Sequence, residues 1–468
     1  MKRFLSAALA AMLLLCLLCA GGAAEIKALY KADVRFTCSL RSAPEDNAKR
    51  VGGLQEKNRV NIITYAEDWC YAEYKGKTGY LKTEWLWRFR SQDPENVPVP
   101  GYTRQAGIAT ALDGFFLRTE AYAGTAVASG SLLTVQSAEP DAFAVVKVAR
   151  GECRVSPHLI SYTPFPDWQE AAAGEIVYAY TTYFNEHFAK KLNDERIFNI
   201  TEACKRITGQ KIAPGATFSF NELCAPYRKS NGYKKAPNIS KEGYGYGGGV
   251  CQVSTTLYNC VLGLPLRVDK WEVHRDSGVA YAPQCFDSAV GSYSDLAFTN
   301  LLPYTLIVEA YPQDGTLTVL LRAGEDAGQA EAEARADAAP LGGEMMMLCD
   351  ADQKCVSLYA SSALNGEPGA TVKGNTAVRV LERENDAVKV LAGEDEGWVS
   401  AGILYDPLAM KEKKTKAKLN LRETPAADAP SMGTAAKGDT VFLLAAGREW
   451  ALITADGVTG YVQLKYLK

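Results

Sequence analysis

Residues 247–259 read Gly247-Gly248-Gly249-Val250-Cys251-Gln252-Val253-Ser254-Thr255-Thr256-Leu257-Tyr258-Asn259. Three glycines run into a cysteine, and the cysteine runs into a helix. Val250, Val253, Leu257 and Val261 fall three and four apart and give that helix one apolar face. Gln252, Ser254, Thr255 and Asn259 fall largely on its other faces. Cys251 therefore stands at a helix N-terminus, where unpaired N–H groups and the helix dipole favour a thiolate, the nucleophilic form. The glycines leave room for the backbone of another molecule. The same pattern also describes a common turn followed by a small buried cysteine.

Around this stretch the chain runs to 468 residues, enough for several domains. Apolar residues at 47% and charged residues at 22% are ordinary for folded protein. The net charge of −3 and the lack of a basic stripe argue against nucleic acid as a partner. Lys2 and Arg3, the apolar run Phe4 to Cys19, and Gly22-Ala23-Ala24 form a targeting segment, residues 1–24, cut before about Glu25. The expectation is an exported protein, extracellular or associated with the cell wall. Of twelve cysteines, the ten beyond that segment then read as disulfide candidates in an oxidising compartment, and Cys38–Cys70 and Cys349–Cys355 are the expected local pairs. After residue 24 no CxxC pair occurs, so neither a metal site nor a cofactor is expected.

The two ends of the chain repeat one another. Leu40-Arg41 and Leu421-Arg422 each open a unit rich in short β-type runs. Trp69 and Trp450 follow 29 residues after the leucine, and Gly79-Tyr80 and Gly460-Tyr461 begin 39 residues after it. A third copy opens at Leu358 and reaches Gly397-Trp398 at the same distance of 39. A fourth, degenerate copy opens at Phe116-Leu117-Arg118 and lacks the closing pair. The units resemble bacterial SH3-like domains. Tyr80, Trp398 and Tyr461 then read either as a ligand surface or as barrel core, and core is preferred. The fold class expected is multidomain, a central α+β domain with small all-β SH3-like barrels on both sides. The boundaries are 25–92, 103–165 for the degenerate copy, 170–324 for the central domain, 325–343 for a solvated linker, 344–406 and 412–468.

In the central domain Ile176 to Phe184 alternates as a strand. Asn199 reads as a helix cap with Glu202 three residues on, and Gly209 ends that helix. Thr217 to Phe220 and a run through Val279 and Tyr281 read as strands. Leu306 to Tyr311 and Leu317 to Leu321 pair around Asp314-Gly315. Among the three histidines, His274 lies 23 residues after Cys251, whereas His158 is outside the domain and His187 reads as packing. A thiolate attacking an acyl carbon needs such a neighbour to take and return a proton. Asp287, Asp276 or Asp295 would orient the imidazole. The loop Gly247, Gly248, Gly249 with Gln252, Ser254 and Thr255 is the candidate oxyanion and substrate loop, and Tyr281 is a further candidate. Alternatively, His274 is a hydrogen-bonded structural residue.

Residues 174–324 resemble the VanW family. The likeness rests on Arg196-Ile197-Phe198-Asn199-Ile200, on Ile212 through Asn221, and on Gly232-Tyr233. It continues through 247–259, His274, Tyr281-Ala282-Pro283, Phe286-Asp287-Ser288-Ala289, Asp295, Phe298 and Asn300. Cys285 departs from it, standing where a glycine is expected. The resemblance implies a cysteine-dependent L,D-transpeptidase of peptidoglycan. Cys251 would attack a donor stem tetrapeptide at its third residue, expel D-alanine and hold a thioester. The amine of a second stem would resolve it into a 3–3 cross-link, with His274 as base and then acid. The implied partner is peptidoglycan, its stem peptides and glycan. Two rival readings remain: a wall-binding scaffold in which Cys251 is structural or disulfide-bonded, and a cysteine peptidase or amidase that passes the acyl group to water.

Overall fold

A computed structural model describes residues 28–66, 68–91, 99–120, 122–184, 193–238, 243–274, 279–283, 286–313, 315–331 and 339–468. The targeting segment, His187, Asp276 and Cys285 lie outside them. The protein is multidomain and mostly β, and it divides into two compact units at Asp93/Pro94. Among the described residues, α-helix is confined to 193–262: α1 (Asn193–Ile207), α2 (Phe220–Cys224) and α3 (Val250–Leu262).

The N-terminal unit is a seven-stranded sheet in the order Arg50–Leu54, Cys38–Arg41, Lys77–Lys82, Trp69–Tyr74, Arg59–Thr64, Tyr30–Val34, Leu86–Ser91. The C-terminal module repeats that order with six strands: Ser431–Ala435, Leu419–Arg422, Val458–Gln463, Trp450–Ala455, Thr440–Ala446, Lys411–Lys414. The repeated sequence pairs meet in space. Arg41 faces Tyr80 across the sheet, and Arg422 faces Tyr461. The closing glycine is there because nothing larger fits. A Cβ on Gly79 would lie 2.7 Å from the Arg41 carbonyl and 3.0 Å from the Leu40 side chain. One on Gly460 would lie 3.0 Å from the Arg422 carbonyl and 2.9 Å from Leu421, and one on Gly397 would lie 2.7 Å from Leu358. Trp398 and Tyr461 are buried, on the core side of the two readings, while Tyr80 is half-buried.

The same succession recurs in residues 345–405, where the Tyr359–Trp398 bridge joins a hairpin to a five-stranded sheet. It recurs once more in 107–164, split into a three-stranded sheet and two hairpins. The cysteines expected as disulfides are free thiols. Cys70 bonds the Thr83 hydroxyl at 3.2 Å, Cys349 bonds the Tyr461 hydroxyl at 3.6 Å, Cys38 is half-buried and Cys355 is exposed.

The central domain is a four-stranded antiparallel sheet in the order Ile176–Tyr183, Thr316–Ala323, Leu306–Gln313, Gln210–Ile212, with α1 and α3 packed on it. The expected hairpin forms, with Gly315 left-handed at its turn. Two expectations fail. The first helix begins by Asn193 with Asp194 and Glu195 in its first turn, so Asn199 is a buried mid-helix residue rather than a cap. Residues 279–283 form no strand. Within the expected linker, Gly328–Glu331 pairs in parallel with Ala172–Ala173. A smaller sheet orders Thr217–Ser219, Ala297–Thr299 and Arg267–Lys270, and the hairpin Lys235–Pro237 with Tyr244–Tyr246 leads into the glycines. The 107–164 module is joined to the central sheet by reciprocal Thr134–Thr181 bonds of 2.9 and 3.1 Å.

Candidate active site

Of the thirteen residues of α3, every one is buried except Cys251. The helix has no polar face because it lies between the sheet and the 286–290 segment, and that overturns the amphipathic expectation. Gln252 is a strut. Its amide nitrogen donates to the Thr182 hydroxyl at 3.0 Å and the Tyr183 carbonyl at 3.2 Å, and its oxygen accepts from Arg196 Nη2 at 2.6 Å. Ser254 Oγ donates to the Ser288 carbonyl at 2.8 Å, and Thr255 Oγ1 accepts the Ser288 N–H at 2.9 Å. Asn259 donates to the Phe286 carbonyl at 2.8 Å. Polar atoms this deeply buried need internal partners, and these partners fix the backbone on both sides of Asp287.

The glycines serve the fold. Gly247 and Gly249 are left-handed, with φ of 77° and 105°. A Cβ on Gly248 would lie 2.5 Å from the Pro237 carbonyl, so the chain's own hairpin occupies the space expected for a ligand. Asn199 donates to the Gly248 carbonyl at 3.0 Å and to that of Lys234 at 2.9 Å, which joins α1 to the same turn. The N–H groups of Gly247, Gly248, Val250 and Gln252 are held by the carbonyls of Lys234, Gly245, Gly247 and Gly249.

Cys251, His274 and Asp287 come together. Asp287, 1% exposed, accepts at one oxygen both the His274 backbone N–H at 2.7 Å and its ring Nδ1 at 2.8 Å. A carboxylate only accepts, so Nδ1 carries hydrogen and Nε2 is left to meet the thiol. His274 and Cys251 share a hydrogen bond. Burial alone would push the imidazole down, but the bonds to Asp287 and Cys251 outweigh it and raise His274 to about 9. The ring is therefore protonated at neutral pH. The Cys251 thiol also reaches the Val290 carbonyl at 3.5 Å. Trp271, stacked on Tyr258 with centroids 5.0 Å apart, donates to the Asp287 carbonyl at 2.9 Å.

Tyr281 faces Cys251, Arg196 and Asp287 and bonds the Thr255 hydroxyl, and burial drives its phenol well above the usual range. Asp295 is elsewhere. It accepts from Ser219 Oγ at 2.8 Å and the Asn221 N–H at 2.9 Å, capping α2, so it does not orient His274. His158 bonds Ser156 at 2.8 Å in its own module. Sequence reading gave no site role to Arg196 or Tyr102. Tyr102 donates to the Asn259 carbonyl at 2.6 Å and packs on Phe286 with centroids 5.8 Å apart. Its distance along the chain hid it, whereas Arg196 already stood in the family-like stretch.

Residues 195–322 match the family described as VanW like protein, and residues 417–468 match the bacterial SH3 domain. The chain is similar to the uncharacterized protein YoaR of Bacillus subtilis (strain 168), 34% identical over 145 residues. That alignment takes in 30% of this chain and 46% of the relative, so the chain spans about half the length of that relative. Among solved structures, NlpC2 from Trichomonas vaginalis aligns over 26% of this chain and 47% of its own, at 19% identity and a TM-score of 0.15. NlpC1 from the same organism aligns over 30% and 48%, at 17% identity and a TM-score of 0.15. Overlaps that loose carry no argument about this molecule.

Proposed function

We propose, since this chain carries a VanW domain at 195–322 and a bacterial SH3 domain at 417–468, that it works at the cell wall as a cysteine-dependent acyltransferase. The observation that carries the reading is the Cys251–His274–Asp287 constellation, with its thiol on the one residue of α3 that is not buried. The substrate is a peptidoglycan stem tetrapeptide. Cys251 sulfur attacks the carbonyl carbon of the third residue, and the Cys251 N–H faces the oxyanion that forms. His274 gives its proton to the departing D-alanine nitrogen, the C–N bond breaks, and a thioester remains. The side-chain amine of a second stem then attacks, His274 takes its proton, and a 3–3 cross-link leaves the free thiol. Water in place of that amine makes the same site a carboxypeptidase.

The wall context rests on the SH3 domain and on the strand order it shares with residues 30–91, 107–164 and 345–405, which we read as three further SH3-like modules that hold the enzyme to its polymer. Export through residues 1–24 belongs to the same reading. The test is mass spectrometry of the protein after incubation with a disaccharide-tetrapeptide. The expected result is an adduct on Cys251 with loss of D-alanine, absent in Cys251→Ala. An unmodified Cys251 that still reacts with iodoacetamide would overturn the substrate. A Cys251 tied in a disulfide would favour the scaffold reading.

A further inference from the structure

Arg196 is a charge beside the thiol that has no counter-charge among the described residues. Its side chain is half-buried in the first turn of α1. One guanidinium nitrogen is held by Gln252 Oε1 at 2.6 Å, and its Cγ and carbonyl lie against Gly249, where a Cβ would come within 2.9 and 3.0 Å of them. The guanidinium is thus anchored over the N-terminal turn of α3, within electrostatic reach of Cys251 and Tyr281. Burial pulls its pKa below the ordinary arginine value.

Of the other partly buried arginines, Arg88 has a carboxylate in Asp33 and Arg322 in Glu309, while Arg41, Arg206 and Arg422 each donate to a backbone carbonyl far from any cysteine–histidine pair. Among the described residues Arg196 forms no ion pair. A desolvated cation without an anion is costly, and its fork of donors matches a carboxylate. We propose that Arg196 binds the free carboxylate of the leaving residue, one residue beyond the carbonyl that Cys251 attacks. It is a specificity residue. It restricts the site to peptides that end there, so that the enzyme removes a terminal amino acid and does not cut within a longer chain. This rests on the acyl-transfer reading and deepens it.

The experiment compares two donors on the full-length protein: the disaccharide-tetrapeptide with its free C-terminal carboxylate, and the same compound as its C-terminal carboxamide. Acylation of Cys251 is followed by mass spectrometry. The wild type is expected to acylate from the acid about 100-fold more efficiently than from the amide, a difference expressed mainly in KM. Arg196→Gln is expected to lose that preference by slowing only on the acid, and Arg196→Lys to retain part of it. Equal use of the two donors by the wild type, a measurement that needs no variant, would overturn the inference and leave acyl transfer standing. So would a preference that survives in Arg196→Gln. Failure of both donors to acylate the wild type would overturn acyl transfer and this inference together.

Discussion

Asp287 receives two hydrogen bonds from one residue at a single oxygen, from the His274 backbone and from its ring. The backbone bond fixes where the histidine sits, and the ring bond fixes which nitrogen faces the thiol. With His274 raised to about 9, the proton needed by a leaving amine stays on the ring up to that pH. Acylation of Cys251 should therefore fall as pH rises through about 9, while alkylation by iodoacetamide, which needs no proton donor, should not. Parallel pH–rate profiles for the two reactions check this. In Asp287→Asn the ring loses its anionic partner, so the limb should move to lower pH and acylation should drop about 10²–10⁴-fold. The same shift affects folding. A histidine raised in the folded state stabilises it fully below about pH 6.5 and loses that contribution as pH rises through about 9. The wild-type Tm should decline across that window more than that of Asp287→Asn.

At the scale of elements, α3 carries Cys251, the proposed nucleophile, and holds the backbone on both sides of Asp287. Thr255→Val would leave the buried Ser288 N–H without its acceptor and Tyr281 without its partner. It should cost about 1–3 kcal/mol of stability in a denaturant titration. It should also slow acylation while leaving alkylation of Cys251 intact. Gly248→Ala would drive a methyl into the Pro237 and Ala236 carbonyls and should cost about 1–3 kcal/mol in the same titration. The grouping of Cys251, His274 and Asp287 was legible in the sequence because few histidines exist and the cysteine opens a helix, and the structure brings the three side chains together. The roles of Gln252, Ser254 and Thr255 were not. Periodicity separates apolar from polar positions, but it does not tell a polar side chain in water from one satisfied inside. The start of α1 was misread for the same reason. Asn199 has the chemistry of a cap, and here that chemistry binds the backbone of Lys234 and Gly248.

Across the whole molecule the repeated modules were legible as spacing, and the structure supplies the cause: the closing glycine packs against the leucine and backbone of the opening strand. The disulfides expected from cysteine order do not form: the fold gives Cys70 and Cys349 hydroxyl partners and leaves Cys355 exposed. Since residues up to Asp93 form a compact unit of their own, Gly79→Ala should lower a single calorimetric transition by several degrees, for an overpacking cost of about 1–3 kcal/mol. It should leave acylation of Cys251 by a soluble donor unchanged. The glycine–leucine seam also has a consequence in time. Leu40 and Gly79 are separated by most of their module, as are Leu421 and Gly460. Contacts so distant along the chain form late and slowly. While the chain is being synthesised, each of the three modules that carry the pair has an opening strand with no closing partner until its glycine emerges, so each stays open until it is nearly complete. The spacing of 39 residues is, on that view, a delay written into the chain.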